Sequence, residues 1–171
     1  MRVFLDTNVL VSAFTARGLS ADLLRLLLTE HQVQTGAVNL AELRRILTDR
    51  FHAAPWQLNL VEGQLRAQAV IPRPAAPASV ACRDPDDTWV LASALDGNAQ
   101  VLVTGDKDLL VLDGKLPFPI VTPSAGMGVI AHVARAPRLT RKYSCRGPER
   151  LGGRRSCLVY WLAAASAGPR S

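Results

Sequence analysis

Aromatic residues make up only 5% of this 171-residue chain, although 49% of it is hydrophobic. The apolar content is therefore leucine, valine and alanine, which suits helices packed on a parallel sheet. Cysteine is scarce and odd in number. Cys82, Cys145 and Cys157 form no C-x-x-C pair, which argues against a disulfide framework and a zinc site and fits a reducing cytosol. The three histidines, His31, His52 and His132, are scattered and read as surface or packing residues, which disfavours a metal-free histidine acid–base pair. Long hydrophobic runs are missing too. The longest late one, Cys157–Ala165, is about half of what spans a bilayer. The early apolar run after Arg2 is broken by Asp6 and Asn8 and lacks a signal-peptide cleavage site. The expectation is a soluble cytoplasmic protein with no membrane association.

What is present supports one good-sized core. The formal charge of +6 is unevenly spread: residues 1–126 hold 11 Lys and Arg against 13 Asp and Glu, and residues 127–171 hold 9 against Glu149 alone. The two parts thus carry −2 and +8. After about Pro123 the apolar periodicity fades and Arg, Gly, Ser and Ala accumulate. The division expected is a domain at 1–123 and a basic, poorly structured tail at 124–171. The tail also reads as a small helical appendage ending in Leu158–Ala165, or as a chain end altered by a frame shift.

Strand and helix signals alternate along the first part, and no repeat interrupts them. Arg2–Leu5 reads as a buried strand, followed by a helix from Asp6-Thr7-Asn8 through Phe14. Ser20 is a good N-cap for a helix over Ala21–Glu30, whose leucines at 23, 24, 26, 27 and 28 make it apolar on most sides. Gln32–Val38 reads as a strand, and Asn39 opens a helix to Phe51. Pro55 starts another helix, Trp56 to about Ala69, with Trp56 and Trp89 in apolar helical patterns that place them in the core. Val70-Ile71 is a brief strand before the prolines at 72, 74 and 77. Asp84-Pro85-Asp86-Asp87 starts a helix with Pro in the first turn. Gln100–Thr104 is a strand, Leu109–Leu112 a short helix or turn, and Pro119–Thr122 a last strand. This alternation predicts an α/β fold of three layers, α/β/α, around a central parallel sheet.

Four acids fall where those elements begin or end. Asp6 ends the first strand, Asp106 follows the strand ending in Thr104-Gly105, and Glu42 and Asp87 lie where helices open. In a parallel α/β fold these positions share the ligand-binding edge of the sheet. Four carboxylates gathered there repel one another unless a divalent cation offsets the charge. Oxygen-only ligands favour Mg²⁺ or Mn²⁺, and metal-assisted attack on a phosphodiester is the natural chemistry.

The order of these pieces is also familiar. Val3-Phe4-Leu5-Asp6-Thr7-Asn8-Val9-Leu10, Asn39-Leu40-Ala41-Glu42-Leu43, Arg83-Asp84-Pro85-Asp86-Asp87-Thr88-Trp89-Val90-Leu91-Ala92, Leu102-Val103-Thr104-Gly105-Asp106-Lys107-Asp108 and Pro119-Ile120-Val121-Thr122-Pro123 follow one another. Residues 3–123 resemble the PIN-domain nucleases, most closely the VapC-like toxins of toxin–antitoxin systems. The resemblance implies an endoribonuclease in which Asp6, Glu42, Asp87 and Asp106 hold one or two Mg²⁺ or Mn²⁺ ions and hydrolyse RNA with a metal-activated water. It makes Thr7, Asn8, Thr104 and Asp108 the supporting polar residues. It further implies a cognate antitoxin protein as partner and a possible homodimer, for which the helices Ala21–Glu30 and Trp56–Ala69 offer an apolar face.

Each acid also has a structural reading. Asn39-x-x-Glu42 fits a capping box, Asp84 a helix cap, Asp86 a solvated first-turn acid, Asp106 a turn, and Asp108 a helix cap. Asp6 is hardest to explain this way, because a carboxylate ending a buried strand needs a partner. Two other functions compete. A phosphatase of the haloacid dehalogenase type also begins with a strand and an Asp, but needs a second Asp where Asn8 stands. A catalytically weak PIN fold could instead serve as an RNA- or protein-binding module.

Overall fold

The alternation in the first strand sets the architecture. Along β1 (Arg2–Leu5) successive side chains point to opposite faces of the sheet, and Val3, Phe4 and Leu5 are all fully buried. Val3 and Leu5 belong to one hydrophobic cluster and Phe4 to another, so both faces of the strand must be covered. The structure, a computed structural model, describes residues 1–128.

The first cluster is roofed by α1 (Thr7–Thr15), α2 (Leu19–Glu30), α3 (Ala37–Asp49) and α4 (Pro55–Arg66). The second lies under α5 (Asp87–Asp96) and α6 (Lys107–Leu110). Between them β2 (Gln32–Gly36), β3 (Ala69–Ile71), β4 (Val101–Val103) and β5 (Ile120–Val121) join β1 in one parallel sheet of order β3-β2-β1-β4-β5. This is the three-layer α/β/α fold that the alternation predicts. The chain winds outward from β1 to β3, crosses over through α5, and resumes on the other side of β1 as β4. That reversal leaves a crevice beyond the carboxyl ends of β1 and β4, where open α/β sheets bind ligands.

Several local expectations are corrected. Ser20 does not cap α2, which starts two residues earlier, at Leu19, behind Gly18 at φ 150°, a conformation few side chains tolerate. Asn39 does not open α3: β2 passes straight into the helix through Gly36, and Asn39 is its third residue. Pro85 stands ahead of α5, in a turn where Asp84 Oδ1 accepts the Asp86 N–H at 2.9 Å. Trp56 is not core but 57% exposed, because the inward positions of α4 are Leu58, Val61 and Leu65.

The leucines of α2 at 23, 24 and 27 are likewise spent on the core. Residues 123–128 are helical, with Gly126 buried and Met127 packed on the first cluster, so packed structure continues past Pro123. The rest of the expected basic tail, with Cys145, Cys157, His132 and Leu158–Ala165, lies outside the described residues. Among those described, no helix is long and apolar enough to cross a membrane.

Candidate active site

Asp6 stands one residue beyond β1, at the mouth of the crevice, and is only 5% exposed. Its backbone N–H donates to Val103 O at 3.1 Å, so the pairing of β1 with β4 fixes it in place. As the N-cap of α1 its Oδ1 accepts the Thr7 N–H at 2.7 Å. Asn39 Nδ2 donates to the same oxygen at 3.2 Å and to Thr7 Oγ1 at 3.0 Å. On the other oxygen, Oδ2, Thr104 Oγ1 donates at 2.7 Å and Asn8 Nδ2 at 2.8 Å. The Asp6 carboxylate therefore receives donors from β1's own continuation, from α3 and from the end of β4.

Burial nonetheless dominates its titration and raises the Asp6 pKa from 3.8 to about 6. The hydrogen bonds from Thr104 and Thr7 oppose that rise, and the charges of Glu42 and Asp106 add to it. Asp87, the first residue of α5, is also raised to about 6, by burial first and then by Asp106, Asp84, Asp6 and Asp108. Its Oδ2 is buried without a hydrogen-bond partner among the described residues. A buried acceptor of that kind is costly unless something positive reaches it.

Asp106 caps α6, its side chain accepting the Asp108 N–H at 2.8 Å, while its own N–H donates to Thr104 Oγ1 at 2.9 Å. Thr104 thus links Asp6 to Asp106. Asp6, Thr7, Asn8, Glu42, Asp87 and Asp106 all line one cleft of about 730 Å³. Thr104 is fully buried behind it, and Asp108 points aside, 3.7 Å from the exposed Arg83. Neither His31 nor His52 lines the cleft.

The donor set suits a hard cation: carboxylate oxygens, one of them buried and unsatisfied, with amide and hydroxyl groups fixing their orientation. Among the described residues no three acidic, histidine or cysteine side chains close into a group able to hold an ion as they stand. The acids line the cleft without forming a cage.

A PIN-domain family model matches residues 2–108, a span that includes every one of these acids. The chain belongs to the PIN-domain family. Two solved structures are similar to this chain: VapBC2 from Rickettsia felis, bound to a DNA fragment from its promoter, and FitAcB from Neisseria gonorrhoeae. Each is 17% identical, and each alignment covers 71% of this chain and 98% of the other, with TM-scores of 0.49 and 0.47 respectively. No protein of curated function matches the chain.

In this PIN domain the site holds more than the sequence reading assigned. Asn39, read there as half of a capping box, is 0% exposed and its amide is spent on Asp6 and Thr7. Asp84 and Asp86, read as a cap and a solvated acid, line the cleft, as do Arg45, Arg73 and Trp89. The available signal for Asn39 was its place in the first turn of the helix that follows β2, three residues before Glu42.

Proposed function

We propose that this PIN domain is a divalent-metal-dependent endoribonuclease and the toxin of a toxin–antitoxin pair, with Asp6, Glu42, Asp87 and Asp106 holding Mg²⁺ or Mn²⁺. The observation that carries the reading is Asp87 Oδ2, buried without a partner in a cleft it shares with Asp6, Glu42 and Asp106. When bound, a divalent ion supplies an activated water and a positive charge that stabilises the departing 3′ oxygen of an RNA phosphodiester.

The chain's own residues orient that chemistry. The donors on Asp6 hold both its oxygens in place, and Thr104 couples its position to that of Asp106. Asn8 donates to Asp6 Oδ2 and accepts the Gly105 N–H at 3.0 Å. An ionised Asp at position 8 could not make the first of these bonds, which disfavours the phosphatase alternative. The narrower reading as a toxin, with an antitoxin protein as partner, is supported by the order and spacing of the motifs.

The test is cleavage of total RNA by the purified full chain with Mn²⁺, Mg²⁺ or EDTA, alongside growth of a bacterial host on induced expression. Cleavage should need the metal, and growth should slow. Asp6→Ala, Glu42→Ala, Asp87→Ala and Asp106→Ala should each lose both effects, while His31→Ala and His52→Ala keep them. Cleavage by the four alanine variants at the wild-type rate would overturn the proposal.

A further inference from the structure

Two arginines line the acidic cleft without a carboxylate partner among the described residues. Arg45, on α3, and Arg73, in the loop leaving β3, both border it. Among the described residues the arginine ion pairs are Arg25 with Asp22, Arg44 and Arg66 with Glu62, and Arg83 with Asp108. Arg73 instead places its guanidinium over the Trp89 ring, 4.7 Å from the centroid. Trp89 is partly buried and lies two residues beyond Asp87.

The local sequence holds this arrangement. Arg73 lies between Pro72 and Pro74; each proline fixes its own φ, and Pro74 confines Arg73 to extended backbone. Pro74 is buried, and the loop is tied to the start of α5 by the Ala78 N–H donating to Thr88 O at 3.0 Å. The guanidinium is thus presented from a stiffened backbone, and little ordering entropy is left to lose on binding.

The surroundings define what such a pair would hold. The guanidinium fork suits a phosphate, and the indole ring beneath it holds the fork by cation–π contact. Six carboxylates share the lining with Arg45 and Arg73, Asp84 and Asp86 standing beside the metal-site candidates, so a polyanion needs a cation on the wall to stay seated. We propose that Arg73, seated on the Trp89 ring, forms a phosphate-holding platform of the cleft and binds a phosphate next to the scissile one in single-stranded RNA. This rests on the reading of the cleft as an RNA-cleaving site.

The experiment is binding of a short fluorescein-labelled single-stranded oligoribonucleotide of mixed sequence to the full chain in EDTA, across a series of salt concentrations. Arg73→Ala should weaken binding about tenfold and reduce the slope of log K against log salt by about 0.7, the share of one phosphate contact on a single strand. Arg73→Lys should keep the slope, since the charge remains, yet bind more weakly than wild type because the flat guanidinium is gone. Trp89→Ala should also weaken binding, by less than Arg73→Ala, and Trp89→Phe by less still, because a phenyl ring also seats the guanidinium. Arg73 is exposed, so its variants report binding rather than folding. Unchanged affinity and slope in Arg73→Ala overturns the platform, as does weakened binding with an unchanged slope. Failure of the wild type to cleave RNA with Mn²⁺ would instead remove the nuclease reading, which the EDTA binding data do not depend on. A wild type that binds no oligonucleotide, its cleft being taken by a partner protein, also overturns the platform.

Discussion

Asn39 Nδ2 lies 3.2 Å from Asp6 Oδ1, and this contact ties the first turn of α3 to the end of β1. Because the same amide reaches Thr7 Oγ1 at 3.0 Å, Asn39 holds the strand-to-helix corner that presents Asp6. Its own Oδ1 is buried without a partner, so the side chain is kept for its donors. Asn39→Ala should cost about 1–3 kcal/mol in stability, the usual range for stranding buried partners, measured by urea unfolding. It should also raise the Asp6 pKa, since the Asn39 donor to its ionised carboxylate is lost.

Asp6 and Asp87 make opposite predictions for removal of charge. Both carboxyls titrate near 6 in the folded protein rather than near 3.8. The folded state then binds protons more tightly than the unfolded chain, so stability falls as pH rises from about 4 to about 6 and stays lower above that. For the buried Asp6 the penalty is about 3 kcal/mol at neutral pH, from a shift of roughly two pH units. Asp87→Asn removes a charge whose Oδ2 has no donor and should raise the melting temperature of the metal-free protein at pH 7–8.

Asp6→Asn also removes a charge, but it places an NH₂ group where only donors converge, from Thr7 and Asn39 or from Asn8 and Thr104. It should lower the melting temperature despite the relieved repulsion. Equal stabilisation by both variants would show that repulsion alone governs the site. Millimolar Mn²⁺ should stabilise the wild type by mass action on the folded state and neither variant.

How much of this could be read from the sequence depends on where each signal is local. Asp6 and Asp106 were legible because each follows a short apolar strand, and a strand's carboxyl end in this topology faces the crevice. Asn39 was not, since Asn-x-x-Glu is also the pattern of a capped helix, and only tertiary packing shows the cap to be Gly36. Trp56 was misplaced because a single apolar residue in the first turn of α4 does not set the helical phase; Leu58, Val61 and Leu65 do. The sheet order was legible only as a class, since β4 and β5 are three and two residues long. The contact between Arg73 and Trp89 joins a loop to a helix 16 positions later in the sequence and leaves no pattern in it.

Gly36 marks the closest approach of backbone to the site's supports. A Cβ there would stand 2.8 Å from both Asn39 Oδ1 and Ser93 Oγ and 2.9 Å from Ser93 Cβ. Both neighbours are fully buried and neither is a flexible chain end. Gly36→Ala should therefore destabilise the fold by about 1–3 kcal/mol through overpacking, and should reduce cleavage further by displacing Asn39 from Asp6. Unfolding by urea and a rate measured well below the melting temperature separate the two effects. An alanine variant as stable and active as wild type would show that α3 and α5 give way freely at this point.

The basic charge of the chain is concentrated beyond the described residues. Residues 127–171 hold +8, whereas residues 1–126 hold −2, so long-range attraction for a polyanion resides in the final part of the chain. A truncation after Gly128 keeps the helical stretch 123–128 and the packing of Met127 on the first cluster. It should weaken RNA binding and flatten its salt dependence, because fewer basic groups release counterions. Metal-dependent cleavage should survive, since Asp106 is the last of the proposed ligands. A truncation after Thr122 also removes Gly126, whose N–H donates to Thr122 O at 2.8 Å, and it should lose stability as well as affinity. Unchanged affinity and salt slope after truncation at Gly128 would show that the basic segment makes no contact with nucleic acid. Equal melting temperatures for the two truncations would show that residues 123–128 add nothing to the core.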